Sequence, residues 1–338
     1  MLAPALIVAL AVAGGRAGAA PAAAPDPGVE SVDDADLVRL RFDWPAPVEA
    51  EAVERRTRLR SGQRPVVTTT RFTRRAERRE DGALAIATAR TRWEGDAPAP
   101  GPKDAVAALV RASGEVVQVV SPEGELLRLE RTEALRPALE TLFAAEELSE
   151  DQRARALDAA EGAARAQARE AWNLAVGFWT GADLELGVRY VMKADRELPF
   201  GAGATVTYDQ EFSVRRRVPC SAGERALRCV EITLRSTPDP EVLPAAARAL
   251  LPRLAGSRAV NRAAELSIED ELLLVTEPAT LLPRRVVWTR AVRAAPRAAD
   301  DAAPVVELVD RTETEYRYPP PRRPARKASR TAASLEGR

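Results

Sequence analysis

The stretch from Ala204 to Ser236 constrains this chain more than any other part of it. Val206, Tyr208, Phe212, Val214 and Val218 fall on one face of a period-two pattern, and Thr207, Asp209, Glu211, Ser213, Arg215 and Arg217 fall on the other. Alternation of this kind marks a strand with one buried and one wet face. Val230, Ile232 and Leu234 repeat the pattern against Glu231, Thr233 and Arg235. Between the two runs stand Cys220 and Cys229, and the residues separating them include Gly223, which suits a hairpin connection. A disulfide closing so short a loop contributes about 2–3 kcal/mol in the chain-entropy account. Cys220 is in phase with the apolar face of its strand, but Cys229 is out of phase with Val230, Ile232 and Leu234. A bridge therefore requires a bulge or break, and Pro219 is where the sequence offers one.

The N-terminus fits an oxidising destination. Leu2 to Ala13 is apolar and uncharged, and Ala17-Gly18-Ala19 matches a small-residue cleavage site, so residues 1–20 read as a signal peptide. The apolar run is too short to span a bilayer, and no cysteine follows it to carry a lipid. The expectation is a periplasmic or secreted protein with no transmembrane span in the mature chain. Lys+Arg and Asp+Glu are equal at 50 each, so no overall field attracts nucleic acid. Histidine is absent, which excludes Ser-His-Asp and Cys-His catalysis, imidazole metal ligation and imidazole pH sensing. No catalytic, cofactor-binding or metal-binding motif appears, so none of those sites is assigned and a non-enzymatic role is the better reading.

Residues 21–34 are rich in Pro, Ala and Gly and read as a disordered lead-in. Val38, Leu40, Phe42 and Trp44 then alternate as a first strand, Val48 to Leu59 favours strand over helix, and the β-branched run from Pro65 to Arg75 favours strand strongly. Asp81-Gly82 before Leu84, Ile86 and Thr88 makes a hairpin. A meander follows: Val106 to Arg111, a turn at Ser113-Gly114, Glu115 to Val120, a turn at Pro122-Glu123-Gly124, and Leu126 to Leu129. Such a run of strands without intervening helices implies an antiparallel sheet.

The period changes at residue 133. Leu135, Leu139, Leu142 and Phe143 recur at helical spacing, and Ser149 with Gln152 forms a capping box for a helix from Glu150 to about Trp179. Its small stripe (Leu157, Ala160, Ala164, Ala168, Ala171, Ala175) implies close packing on the sheet. Strands resume at Leu184 to Lys193, and Asp239-Pro240 opens a second helical segment to residue 255. Three last strands span Ala264 to Val275, Arg284 to Arg293 and Val305 to Tyr318. The arginines at 74–75, 78–79 and 215–217, and the carboxylates Asp209, Glu211, Glu269, Asp270 and Glu271, have the spacing of solvated strand faces. Residues 319–338 are basic and without apolar periodicity, a disordered tail.

The reading is an α+β fold: one domain over 35–318, with a large curved antiparallel sheet and helices from 133–180 and 239–255 packed on one face. In general layout it resembles the bacterial half-barrel lipid or lipoprotein carriers, in which helices cap a concave apolar sheet. The resemblance rests on layout, with no matching motif. It implies a hydrophobic or lipid-like ligand between sheet and helices, with Trp172, Val176, Trp179, Tyr208, Phe212 and Trp288 as candidate lining residues. The alternative is a structural or protein-interaction module with a filled core and an envelope protein as partner. An unfilled apolar cavity favours the first, and ordinary packing density favours the second.

Overall fold

Long strands with arginines and threonines on one face and small or apolar residues on the other need a broad sheet and a partner layer. A computed structural model describes residues 36–94, 112–144, 148–197, 205–241, 263–296 and 306–319. In chain order the strands are β1 (Leu37–Arg39), β2 (Val48–Arg60), β3 (Val66–Arg78), β4 (Leu84–Glu94), β5 (Val117–Val120) and β6 (Leu126–Glu130). Helices α1 (Leu135–Phe143) and α2 (Glu150–Ala175) follow. Then come β7 (Asp183–Glu185), β8 (Tyr190–Glu197), β9 (Thr205–Val218), β10 (Cys229–Pro238), β11 (Ala263–Thr276), β12 (Pro283–Pro296) and β13 (Val306–Arg317).

Eleven of these strands form one sheet in the order β6-β5-β4-β3-β2-β13-β12-β11-β10-β9-β8, and every described pairing between neighbours is antiparallel. Both halves of the chain contribute: β13, near the C-terminus, pairs with β2, with Thr312 opposite Arg56. Strands β6 and β8 are the two ends and do not pair with each other, so the sheet is open. No described helix is long and apolar enough to cross a membrane.

Helix α2 begins as its sequence requires. The Ser149 side chain accepts from Gln152 N at 3.3 Å, and Gln152 Oε1 accepts from Ser149 N at 3.0 Å, while Glu150 and Asp151 sit favourably at the positive end of the helix. The α-helix stops at Ala175, and a 3-10 turn (Gly177–Trp179) replaces the extra turn expected to Trp179. Helices α1 and α2 pack through Leu139, Phe143, Leu157 and Ala160, a small satellite core.

The disulfide is present between Cys220 and Cys229. The phase conflict is relieved inside β9 and not at Pro219. Glu231 faces Arg216 while Ile232 faces Val214, so Arg215 is the extra residue of a bulge. One added residue reverses the side-chain phase. Val218 thereby comes opposite Cys229, and the bridge closes just beyond the strand.

Two further expectations change. The alternation from Val38 to Trp44 is buried as expected, but only Leu37–Arg39 is strand, and it pairs with β7 in a separate two-stranded sheet. Beyond it the backbone bonds to loops: Leu40 N donates to Ala182 O, Arg41 N to Pro278 O and Asp43 N to Thr280 O. Ser113-Gly114 lies in a helical stretch at 112–115, not a hairpin turn. The turn at residues 122–124 is as expected, and only glycine fits at its end. Gly124 has φ +91°, and a Cβ there would meet Phe42 at 2.8 Å. The strand expected at 106–111, most of the helix expected to 255, residues 1–34 and the tail from 320 lie outside the described residues.

Candidate functional site

Helix α2 and the sheet enclose a space that is packed at one end and open at the other. The packed end is aromatic. Trp44 and Trp172 stand 5.7 Å apart between ring centroids, with Phe42 against both. A second group joins Phe178, Trp179, Phe212 and Tyr190 at 4.7–5.8 Å. The buried indoles are satisfied: Trp172 Nε1 donates to Gly124 O at 3.0 Å and Trp179 Nε1 to Leu174 O at 2.8 Å.

The open end is a cavity of about 320 Å³ walled by α2 residues 167–175, by the inward face of β2, β3, β4, β12 and β13, and by Ser113, Val116 and Gln118 at the start of β5. Apolar wall comes from Phe72, Ile86, Trp172, Leu174, Val286 and Trp288, with Tyr316 beside them. Five arginines (Arg56, Arg58, Arg60, Arg74, Arg290) and three carboxylates (Glu54, Glu170, Asp310) share that wall. The concave face expected to be apolar is therefore amphipathic, with charge concentrated along β2.

The charge pattern follows from strand geometry. Arg56, Arg58 and Arg60 occupy alternate positions of β2 and point into one space. Asp310, opposite Arg58 on β13, takes Arg56 in a two-pronged contact whose Nε–Oδ1 distance is 2.8 Å, and Arg58 Nε reaches it only at 3.5 Å. Arg60 has Leu308, and not a carboxylate, opposite it on β13. Burial and the repulsion of Arg56 pull Arg58 down to about 10 from its ordinary value. Burial pushes the Glu54 carboxyl up, and neighbouring Arg56 only partly opposes this. Asp310 is penalised by burial too, but its bonds to Arg56 outweigh that and hold its pKa below the usual carboxylate value.

Deeper along the same face lies a buried ionic cluster. Arg290 donates from Nε to Asp270 Oδ1 at 2.6 Å and from a second nitrogen to Oδ2 at 2.8 Å. Arg196 reaches Asp270 at 3.5 Å, donates to Ser236 Oγ at 3.2 Å and pairs with Glu170 of α2. Burial works against the Asp270 carboxylate, yet Arg290 and Arg196 overcome it and lower its pKa. Burial combined with the nearby Asp270 charge pushes the Tyr208 hydroxyl up to about 12. Glu170 is thus the charge that ties α2 to the far strands.

Of the sequence-derived lining residues, Trp172 and Trp288 stand at the cavity wall. Trp288 lies under the Arg290 guanidinium at 4.6 Å, and its shielded indole N–H has no acceptor among the described residues. Val176 and Trp179 are buried in the packed end, Phe212 stacks on Tyr190 and meets Trp179 edge-on, and Tyr208 lies under Arg196 at 5.0 Å. None of these four borders the cavity.

Sequence reasoning missed the charged wall. Asp270 was assigned to a wet face, but it is 4% exposed because it is in phase with Ile268, Leu272 and Leu274. Arg290, between Trp288 and Val292 in phase, carried the same signal. Arg74 likewise turns inward: it lies 5.4 Å from the Trp44 ring and donates to Tyr316 Oη and Gln118 Oε1, each at 3.2 Å. Its neighbour Arg75 does take the wet face, against Glu49. Asp209 is on that face too, 3.5 Å from Lys193. Among the described residues no group of three or more carboxylates or cysteines is placed to hold a metal ion.

No family model matches the sequence, and no curated protein matches it. A solved structure titled "Lipid-protein interactions in lipovitellin" is similar at a TM-score of 0.39 and 7% identity, over 80% of this chain and 25% of that one. This chain thus spans about a quarter of that chain, and so distant a likeness transfers neither fold nor ligand.

Proposed function

We propose that this is an exported, non-enzymatic protein of the cell envelope that carries a lipid-like ligand in the cavity between α2 and the sheet. The reading takes residues 1–20 as a signal peptide, 35–318 as one half-barrel domain, and 319–338 as a basic tail outside the binding unit. One observation carries it: the space under α2 is filled by aromatic side chains at one end and left open, at about 320 Å³, at the other. That volume falls at the lower end of the range of about 300–1,000 Å³ occupied by small-molecule sites. The Cys220–Cys229 bridge supports an oxidising compartment.

Native mass spectrometry of the mature protein, purified gently from its own envelope and then extracted with solvent, tests the reading. An apolar molecule near one per chain supports it. An apo mass, together with no thermal response to a lipid panel, favours the competing interaction module with no small-molecule ligand.

A further inference from the structure

Within the cavity the positive charges are unevenly answered. Asp310 is the acidic partner of both Arg56 and Arg58, and its two oxygens are already engaged by Arg56. Glu170 and Asp270 are committed to Arg196 and Arg290. Arg58 and Arg60 are left as consecutive inward positions of one strand, roughly 6–7 Å apart along it. A pair of guanidinium groups at that spacing, half-shielded from water, is a receptor for a two-oxygen or three-oxygen anion. Burial first, and then the neighbouring positive charge of Arg56, depress the pKa of Arg58.

Apart from Leu308 opposite Arg60, the apolar wall lies on one side of this pair. Moving along β2 away from Arg60, the inward positions become Arg56, Glu54 and then Ala52, beside Phe72 on β3 and Tyr316 on β13. Trp172 closes that end from α2. Charge without a close acidic partner stands at the Arg58–Arg60 end, whereas Arg74 at the other end is taken up by Tyr316, Gln118 and the Trp44 ring, a layout that suits a molecule with a head and a tail.

Resting on the ligand-carrier reading, we infer that the bound molecule is a single-chain anionic amphiphile. Its carboxylate or phosphate head sits between Arg58 and Arg60, and its chain runs toward Phe72, Tyr316 and Trp172. The modest volume limits the site to one chain.

Calorimetric titration of the full mature protein tests this with dodecanoate, dodecyl phosphate, dodecanol and inorganic phosphate, each below its micellar concentration where one exists. The two anionic amphiphiles are expected to bind one per chain, about tenfold or more tighter than dodecanol, since a charge-assisted contact is worth at least that factor. Arg58→Gln with Arg60→Gln removes the preference. Arg55→Gln with Arg311→Gln makes the same charge change on the opposite face and leaves it intact. Should the first double variant fail to fold, Arg60→Gln alone carries the comparison, because the residue opposite Arg60 on β13 is Leu308 and not a carboxylate.

Dodecanol binding as tightly as the anions, with no effect of the arginine variants, overturns the inference and leaves the carrier reading standing. Inorganic phosphate binding as tightly as dodecyl phosphate also overturns it, because the site then reads the anion without the chain. Binding of none of the four defeats this ligand class. If native mass spectrometry also finds an apo protein, the carrier reading fails with it.

Discussion

The two ends of the space under α2 are built by opposite rules. At the packed end, Trp44, Trp172, Trp179 and Phe212 fill the volume, and their polar atoms find backbone carbonyls. At the other end the same sheet face turns to arginine and carboxylate, side chains that bond in pairs and leave room between them. Apolar groups gain by removing all surface from water, whereas charged groups must keep partners or solvent. The contrast teaches that an open cavity can be maintained by charge: ions that satisfy one another across strands resist the collapse that aliphatic side chains would undergo.

The sharpest way to break the contrast is Asp270→Ala. It removes the two-pronged partner of Arg290 from a buried site, leaving Glu170 to answer both Arg290 and Arg196, and should cost about 3–5 kcal/mol, read as a fall in the urea midpoint. Asp270→Leu with Arg290→Met sharpens the point. Replacing both partners is expected to be neutral or to stabilise by about 1–4 kcal/mol, which would separate fold stability from the placement of α2. A loss as large as that of the single variant would show that the pair itself holds the fold. Trp179→Ala attacks the packed end and should cost about 3–5 kcal/mol by cavity formation, with headgroup selectivity unchanged.

A smaller effect belongs to neither end. Reducing the Cys220–Cys229 bridge should lower stability by about 2–3 kcal/mol, because it closes a short local loop. Thermal melts with and without reductant measure this directly.

Acid titration separates two carboxylates of the charged face. The folded pKa of Asp270 is lowered, so between its two pKa values the unfolded chain binds more protons. Its contribution is present above the unfolded value of about 3.9 and is lost as pH falls through the folded one. Glu54 has the opposite sign. Its folded pKa is raised, so stability it allows at low pH is lost as pH rises from about 4.3 through the folded value. Glu54→Gln is therefore expected to stabilise slightly at neutral pH and to remove that decline. An unchanged pH profile would show that water reaches Glu54 freely.

Much of the fold was legible in the residues. The period-two runs of β9 to β13, the turn at Gly124, the Ser149 capping box and the cysteine pair each report a local rule, since side-chain phase, φ preference and short-range hydrogen bonds are written in adjacent residues. The candidate site was legible in part. Trp172 and Trp288 were singled out, and Asp270 stood in phase with leucines, a signal that local charge count obscured.

What the sequence determined by itself was which residues share a strand face and where helix replaces strand. Whether a face is wet or enclosed was decided only by tertiary structure. Arg56, Arg58 and Arg60 are indistinguishable by local pattern from the arginines of the outer face. They become a cavity wall because β13 closes onto β2 from more than two hundred residues away and α2 lies across the result. Strand alternation follows from backbone geometry within a few residues, whereas burial depends on which distant surfaces the chain brings together.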